Sequence, residues 1–178
     1  SDAGTPLLSD PGYRLVAEAA AAGYPVFPVP GASALLAALV VAGLPTDSFF
    51  FAGFLPPRPA ARRKRLLALA AIPATLEFYE SPHRLAGSLA DMAAALGDRP
   101  AASKAFETVR RGPLSALAAA FGGPPPKGEI VVIVAPPREA PPEAAEVDSL
   151  LARLLADASV REAAEQAAAI TGLPRRDL

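Results

Sequence analysis

A chain of 178 residues can form one sizeable core or two small α/β units, and its 52% apolar and 20% charged residues are typical of a globular protein. It has no cysteine and a single histidine, His83, which excludes disulfides, thiolate metal sites, cysteine nucleophiles and a histidine-rich metal site. The net charge is −1, so a polyanionic partner would need a local basic patch.

The longest apolar stretch is far shorter than the roughly 20 residues that cross a bilayer, so no membrane partner is expected. The chain begins as if inside an α/β domain. Residues 1–6 have the pattern of a strand that leaves a sheet and enters a loop, with neither a methionine nor a preceding strand. We therefore expect an artificial or unobserved boundary at Ser1.

Helices and strands alternate along the first part of the chain, which favours α/β layers. Asp10 is predicted to cap a helix that stops at Gly23. Residues 24–29 are predicted to form a short strand, at an edge or with irregular pairing because of their prolines. Ser33 is then predicted to cap a helix that ends near Ala42.

The alternation continues to the end of the chain. Further strands are predicted at residues 49–54, 75–80 and 129–135. Further helices are predicted after the proline-rich segment 55–59, from Pro82 to Gly97, and over residues 114–121. Beyond a linker at 136–142, two more helices are predicted, and Ser159 with Glu162 forms a capping box before the second.

Polar side chains and tight turns recur where predicted strands give way to helices, which is where open α/β sheets bind ligands. Asp2 and Thr5 could bond a ribose or an amino-acid group, or residues 1–12 could be only a well-capped loop. At residues 30–34, backbone amides ahead of a helix favour a polar or anionic group, although N-cap serines such as Ser33 are common. The residues alone leave both alternatives open.

Residues 75–84 bring a carboxylate, an imidazole and a guanidinium together after an apolar strand. Glu80, His83 and Arg84 suit polar-substrate binding or proton transfer. The alternative is a structural ion pair between Glu80 and Arg84, with His83 packed beside it. Residues 127–129 precede another apolar strand, and they belong either to a site or to a turn.

Basic side chains cluster at the start of the helix that follows the proline-rich segment. They are the best candidates for a surface that contacts phosphates, and a solvated helix face explains them about as well. The cluster consists of Arg58, Arg62, Arg63, Lys64 and Arg65.

Five strings of sequence are more specific in their order than any one of them alone. They are SDAGTPLLSDPGYRLV, PGASALLAAL, GLPTDSFFFAGFLPP, FYESPHRL and KGEIVVIV. Together they closely resemble a branch of the tetrapyrrole (corrin/porphyrin) methylase superfamily whose members methylate small-subunit ribosomal RNA. The resemblance covers nearly the whole chain, and SDAGTP and FYESPHR are its most specific parts.

The resemblance implies S-adenosylmethionine as methyl donor and 2′-O-methylation of a cytidine ribose in 16S ribosomal RNA of the small subunit. It also implies a cytoplasmic homodimer. The implied α/β fold has two domains with the cofactor in the cleft between them, most of the first domain's opening part missing here, and a small helical appendage. The expected ranges are 1–55 and 56–136 for the two α/β domains and 143–178 for the helical extension.

Matching the family's motifs to this sequence, residue by residue, gives three sets of expected site residues. The cofactor contacts are Asp2, Thr5, Ser33, Ala34, Tyr79, Gly128 and Glu129. Our candidates for orienting or deprotonating the acceptor hydroxyl are Glu80, His83 and Lys104. The candidate phosphate contacts are Arg58, Arg62, Arg63, Lys64, Arg65 and Arg84.

The chain departs from the family pattern at three places. The family's opening strand and glycine-rich loop should precede Ser1. After Ala102, where the family carries a longer strand ending, Ser103 and Lys104 follow at once, so several residues are expected to be absent. The family's terminal helix should continue beyond Leu178.

Other functions remain as alternatives. Methylation of a small tetrapyrrole or of a protein side chain is disfavoured by the arginine-rich helix and the FYESPHR loop. A non-catalytic RNA-binding or assembly module is suggested by the two C-terminal helices, which loosely resemble a helix-turn-helix, although such pairs are more often packing appendages. An unrelated nucleotide-binding domain is disfavoured because no phosphate-loop motif occurs.

Overall fold

The computed structural model describes residues 4–105, 108–137, 144–156, 158–171 and 173–175. The chain divides into two compact units, Ser1–Pro137 and Arg138–Leu178. The first unit contains both of the α/β domains expected from the sequence, so the boundary expected near residue 55 stays a prediction. Within the described ranges, no helix is long and apolar enough to span a membrane.

The first helix, α1, spans Tyr13–Ala21. The predicted cap at Asp10 is wrong, because the helix begins three residues later. Gly12 instead precedes the helix in a left-handed conformation (φ 117°), and no side chain caps its first turn. A left-handed backbone is accessible to glycine without steric cost, so Gly12 can redirect the chain into the helix.

The strand predicted at residues 24–29 is also wrong, because no strand forms there. Tyr24, Phe27 and Val29 are 70%, 81% and 88% exposed. Two prolines in the segment cannot donate to a ladder, and no described strand pairs with it. Its run of apolar residues was therefore a misleading signal.

The second helix, α2, spans Ala34–Ala42 and confirms the predicted caps. The Ser33 side chain accepts a hydrogen bond from the backbone N–H of Leu36 at 3.4 Å. Gly43 ends the helix in the left-handed conformation. Local sequence signals therefore set both ends of α2.

One five-stranded sheet organises the first unit. Its strands are β1 (Phe49–Phe54), β2 (Thr75–Glu80), β3 (Pro100–Ala105), β4 (Thr108–Pro113) and β5 (Ile130–Val134), in the order β1-β2-β5-β3-β4. The pair β1 and β2 is parallel, and the other pairs are antiparallel. The strands predicted at 49–54, 75–80 and 129–135 are confirmed.

The pairing of β3 with β4 was not predicted from the sequence. Residues 100–105 are rich in alanine, and residues 108–113 contain two arginines, a glycine and a proline, so neither segment has the β-branched and aromatic pattern of a strand. Tertiary contacts override this weak local preference, because β3 lies directly against the buried strand β5.

Helices α3 (Pro59–Leu69), α4 (Leu85–Leu96) and α5 (Leu114–Ala120) cover one face of the sheet, and a short 3-10 helix, Pro82–Arg84, precedes α4. Their core includes Phe78, Leu89 and Val132, which are fully buried. On the other face, Ala38 of α2 joins a second buried cluster with Val131 of β5. Strand β5 is thus buried on both faces, which explains its uninterrupted apolar sequence.

The second unit contains α6 (Ala144–Leu154) and α7 (Val160–Thr171). The predicted capping box is confirmed, because the Ser159 backbone donates to the Glu162 carboxylate at 3.0 Å, and Glu162 donates its own N–H to the Ser159 hydroxyl at 3.4 Å. Hydrogen bonds from the side chain and the backbone of Ser159 lower the pKa of Glu162.

Candidate active site

Several of the expected site segments lie at one end of the sheet. Glu80, at the end of β2, is paired with Ile130 at the start of β5, and Ile130 is paired with Ala105 at the end of β3. Because β1 runs parallel to β2, the segment after Phe54 leaves the sheet at the same end. Open α/β sheets bind ligands beyond the carboxyl ends of parallel strands.

Tyr79 lies on the α2 face of the sheet at this end. Phe51 and Phe54 of β1 pack edge-on against its ring, with centroids 4.8 and 5.6 Å away. Burial raises the pKa of the Tyr79 hydroxyl, a hydrogen bond with the backbone of Leu35 opposes the rise, and the negative charge of Glu129 adds to it. The FYESPHR strand is therefore tied to the first turn of α2.

The loop at residues 4–12 is tied to the turn at residues 30–34. The Thr5 hydroxyl donates a hydrogen bond to the carbonyl of Ala32 at 3.0 Å. Two non-glycine residues of the loop, Leu7 and Ser9, have left-handed backbones with φ of 70° and 58°. Such conformations are costly and cluster at ligand-binding loops, and nothing in the sequence pattern announced them.

The same loop closely approaches β1 at Gly53, where the register between β1 and β2 shifts. Gly53 has φ of +67°, and a Cβ at this position would lie only 3.2 Å from the Ser9 hydroxyl oxygen. A side chain at Gly53 would therefore require the Ser9 hydroxyl to shift by a few tenths of an ångström and would strain the backbone at a positive φ. The loop and β1 therefore pack closely at this position.

The structure brings together four of the expected cofactor contacts. Thr5 bonds to the residue before Ser33, Ala34 begins α2, and Tyr79 bonds to the next residue of that helix. Glu129 is exposed and close enough to influence the Tyr79 hydroxyl electrostatically, and Gly128 precedes it in the turn before β5. Asp2 lies outside the described residues.

Lys104 lies on the same face of the sheet as Tyr79. Both are paired with Val131, Tyr79 from β2 and Lys104 from β3. Residues opposite one another on neighbouring strands share a face, and two strand spacings separate these two backbones by roughly 10 Å. The partly buried Lys104 side chain is therefore placed toward the α2 side of the sheet end.

Glu80 lies on the opposite face and is completely buried. Its carboxylate accepts hydrogen bonds from the Ser88 hydroxyl at 2.5 Å and from the Ser81 backbone at 2.9 Å. Arg84 lies 3.2 Å from it and also donates to the carbonyl of Leu55 at 2.6 Å. This geometry favours the structural ion pair that the sequence left as an alternative, and a catalytic role of Glu80 stays a prediction.

His83 is exposed in the short 3-10 helix after β2. Among the described residues, His83 forms neither a hydrogen bond nor an ion pair with the Glu80 carboxylate. An exposed imidazole at the sheet end is accessible to a substrate, so His83 remains a candidate for contact with the acceptor.

The basic cluster on α3 contains two kinds of residue. Arg62 is 6% exposed and pairs with the carboxylate of Asp91 on α4, with N–O distances of 2.7 and 2.6 Å. Arg63 reaches the same carboxylate at 3.2 Å but stays half-exposed. Arg58, Lys64 and Arg65 are exposed. Neither interpretation of the sequence anticipated that Arg62 would be buried.

Sequence reasoning did not single out Glu77, which lies two residues before Tyr79 on the same face of β2. It is completely buried, and neither carboxylate oxygen has a hydrogen-bond partner among the described residues. Burial raises its pKa from 4.5 to about 7. An acidic residue between two apolar ones, Leu76 and Phe78, was the available signal.

Two family descriptions match the chain. The family described as Tetrapyrrole (Corrin/Porphyrin) Methylases matches residues 1–118. The domain described as RsmI C-terminal HTH domain matches residues 141–178. The first match lies within the first compact unit and the second within the second compact unit.

Curated relatives named ribosomal RNA small subunit methyltransferase I are similar over nearly the whole chain. The chain is 54% identical to the one from Mesorhizobium japonicum, over 97% of this chain and 61% of that relative. It is 49% identical to the one from Pseudomonas aeruginosa, over 97% of this chain and 65% of that relative. It is 48% identical to the one from Xylella fastidiosa (strain Temecula1), over 100% of this chain and 68% of that relative. The chain thus spans about three fifths to two thirds of the length of these relatives.

Solved structures show the same fold at low sequence identity. The methyltransferase CobJ has a TM-score of 0.52 and 19% identity, over 75% of this chain and 62% of that chain. A conserved hypothetical protein from Aeropyrum pernix has a TM-score of 0.54 and 21% identity, over 78% of this chain and 57% of that chain.

Proposed function

The chain belongs to the tetrapyrrole (corrin/porphyrin) methylase family, and from this premise we propose that it takes part in methyl transfer from S-adenosylmethionine to ribosomal RNA. The observation that carries the proposal is the 54% identity, over 97% of the chain, to a ribosomal RNA small subunit methyltransferase I. The aligned region covers 97% of the chain and so reaches both compact units.

The finer proposal names the acceptor and the assembly. The acceptor is the 2′-hydroxyl of a cytidine in 16S ribosomal RNA, within the small ribosomal subunit. The protein acts in the cytoplasm as a homodimer. The names of the relatives support ribosomal RNA of the small subunit as the substrate, and the nucleotide, its 2′-oxygen and the dimer follow from the family resemblance.

The residues at the sheet end fit an adenosyl cofactor. An aromatic ring, the N-terminus of α2 and a hydroxyl-bonded loop converge there, and they suit a ligand with a planar base and a polar sugar. Within the proposal, Thr5, Ser33, Ala34 and Tyr79 hold the cofactor. Asp2 and the Gly128–Glu129 turn complete the expected set.

When bound, S-adenosylmethionine supplies a methyl group that is already activated by its sulfonium. The protein's task is then to align a ribose oxygen with that methyl group and to assist loss of the hydroxyl proton. Glu129 places a carboxylate near Tyr79, and a negative charge there favours a cationic ligand. The loop at residues 4–12 lies close to β1 at Gly53 and borders this side of the proposed site.

His83 and Lys104 are the residues that we assign to the acceptor hydroxyl. His83 is exposed after β2, and Lys104 shares a sheet face with Tyr79. We assign Glu80 a positioning role, because its carboxylate fixes Arg84, which in turn holds the carbonyl of Leu55. That contact joins the FYESPHR turn to the segment after β1.

Phosphates of the RNA are assigned to the exposed members of the α3 cluster, Arg58, Arg63, Lys64 and Arg65. Arg62 and Arg84 are committed to Asp91 and Glu80, so they stabilise the fold rather than contact phosphates. The proposed RNA surface is therefore smaller than the sequence predicted.

The test measures transfer of a labelled methyl group from S-adenosylmethionine to three acceptors: 30S subunits, free 16S ribosomal RNA and a porphyrin. The full-length relative from Mesorhizobium japonicum serves as the positive control. Transfer to either ribosomal acceptor by this chain supports the proposal. Transfer to porphyrin alone, under conditions where the relative labels RNA, would refute it.

A second candidate concerns the second unit alone. Its match to a C-terminal helix-turn-helix domain favours RNA binding without catalysis by α6 and α7. A chain shortened to residues 1–137 would then bind cofactor with unchanged affinity but bind 16S ribosomal RNA more weakly. Equal RNA affinity of the long and short chains would rule out this role.

A further inference from the structure

A cavity of about 190 Å³ lies on the face of the sheet opposite Tyr79. It is lined by Ala105, Thr108, Arg110, Phe121 and Pro126. Because a water molecule occupies about 30 Å³ in the liquid, this space holds more than a few waters but less than a drug-sized ligand. Its size suits one flat ring.

The lining already contains a cation–π pair. The guanidinium carbon of Arg110 lies 4.9 Å from the centroid of the Phe121 ring. One guanidinium N–H donates to the carbonyl of Ala120 at 3.4 Å, which helps to fix the plane. Arg110 is exposed, Phe121 is half-buried, and none of the described carboxylates forms an ion pair with Arg110. A planar cation with an accessible surface is thus held over an aromatic ring.

The cavity lies at the same end of the sheet as the candidate active site. Thr108 is paired with Ala105, Ala105 with Ile130, and Ile130 with Glu80. Three strand spacings separate Thr108 from Glu80, or roughly 14 Å. An RNA segment that passes over this end of the sheet would therefore meet both the cavity on one face and the acceptor site on the other.

A basic residue follows the cavity lining in the sequence. Pro126 is followed by Lys127, which is exposed. Guanidinium planes and aromatic rings are the groups on which proteins stack unpaired RNA bases, and a neighbouring lysine can contact the phosphate. A paired base within an A-form helix presents no free face to such a cavity.

We propose that the cavity holds an unpaired nucleobase of the RNA substrate, stacked on the Arg110–Phe121 pair, with its phosphate close to Lys127. The proposal rests on the proposed function and adds a second contact that recognises the single-stranded state of the RNA near the acceptor nucleotide. It accounts for the pairing of an exposed arginine on the edge strand β4 with an aromatic ring at the end of α5 that packs against the core and stays partly exposed.

The test measures equilibrium binding of this chain to three RNA probes: a single-stranded oligonucleotide, the same oligonucleotide with abasic positions, and a duplex of equal length. Arg110→Lys keeps the positive charge and removes the planar guanidinium group. Phe121→Leu keeps an apolar side chain and removes the ring. Arg14→Lys, at an exposed arginine of α1 away from the cavity, is the matched control.

Arg110→Lys and Phe121→Leu should each weaken binding of the single-stranded RNA about tenfold, since stacking one base contributes on this scale. Binding of the duplex and of the abasic RNA should change little, and Arg14→Lys should bind all three probes as the wild type does. The salt dependence should stay the same in Arg110→Lys, because its charge is retained.

Equal losses for single-stranded and duplex RNA would overturn the proposal, because charge alone would then explain the effect. Wild-type affinity in both variants would overturn it as well. If the wild type still labels ribosomal RNA in either case, the proposed methyl transfer stands and only the cavity is ruled out. If the wild type neither binds nor labels RNA, both proposals fail. Arg110 is exposed, so Arg110→Lys tests the idea even if Phe121→Leu unfolds the protein.

Discussion

Strand β2 buries two carboxylates on opposite faces of the sheet, and the two have opposite surroundings. Glu80, on the face covered by α3, α4 and α5, is bonded to Ser88, Ser81 and Arg84. Glu77, on the α2 face, has no hydrogen-bond partner among the described residues. Both are completely buried. Full pairing makes Glu80 part of the framework, whereas the unpaired Glu77 destabilises the fold whenever it is ionised.

The largest effect is expected when Glu80 loses its charged partner. Arg84→Ala should lower the free energy of unfolding by about 4 kcal/mol, because it leaves a buried carboxylate without a counter-charge. Urea unfolding at pH 7 measures the change. Arg84→Lys is the control and should recover part of the loss. A loss below about 1 kcal/mol for Arg84→Ala would mean that Ser88 and Ser81 suffice to hold the carboxylate.

The next effect concerns Glu77 and its pH dependence. Its pKa is raised to about 7 in the folded protein, so between pH 4.5 and about 7 the unfolded chain is ionised while the folded protein keeps the proton. Stability from this group is therefore greatest below pH 4.5, falls as the pH rises to about 7, and is constant above. The total loss is about 3 kcal/mol.

Glu77→Gln should remove this pH dependence and give a protein more stable than the wild type at pH 8. Thermal or urea unfolding of both proteins at pH 5 and pH 8 makes the comparison, and Glu129→Gln, at an exposed position, is the matched control. Parallel stability profiles for wild type and Glu77→Gln would show that the Glu77 carboxyl finds a partner in solution.

A smaller effect is expected at Tyr79, which shares a face with Glu77. Tyr79→Phe removes the hydrogen bond to the backbone of Leu35, keeps the ring packed against Phe51 and should cost about 1 kcal/mol of stability. If Tyr79 also holds the cofactor, calorimetry should show weaker binding of S-adenosylmethionine. Unchanged cofactor affinity with the same loss of stability would restrict Tyr79 to a structural role.

The smallest effect on stability is expected on the exposed surface of α3. Lys64→Ala should change the free energy of unfolding by less than about 0.5 kcal/mol, since the side chain is exposed and away from the core. It should weaken RNA binding uniformly across sequences and reduce the salt slope by about 1. Arg62→Ala should do the reverse, lowering stability by breaking the Asp91 pair with little effect on the salt slope.

Local signals predicted much of the fold. The caps of α2 at Ser33 and Gly43 and the capping box of α7 are confirmed, because these signals act within one helical turn. Strand β5 was equally predictable, since five apolar residues in a row fit a strand that is buried on both faces. These elements need no knowledge of distant contacts.

Elements that depend on distant partners were not predictable. Strands β3 and β4 form because β5 pairs with β3, although alanines and arginines favour strands weakly. Residues 24–29 have an apolar sequence but no described strand to pair with. A strand pattern identifies a segment that can pair, and it cannot identify the partner.

Within the candidate site, residue types were predictable but their surroundings were not. The sequence placed Glu80 and Arg84 together and left their role open, and only the contact with Ser88 shows how completely the carboxylate is enclosed. It gave Arg62 and Lys64 the same role. In the structure Arg62 pairs with Asp91, 29 positions further along the chain than Arg62, whereas Lys64 is exposed. Glu77 is likewise buried because it lies on the sheet face that packs against α2, a contact between distant parts of the chain.

The most direct test of the account locates the methyl group. After reaction with labelled S-adenosylmethionine, 16S ribosomal RNA from 30S subunits is digested to nucleosides and analysed by mass spectrometry. The account predicts label in 2′-O-methylcytidine. Label on a base or in another nucleoside would contradict the proposed acceptor, and absence of label in RNA, with intact cofactor binding and labelling by the Mesorhizobium japonicum relative, would contradict methyl transfer by this chain.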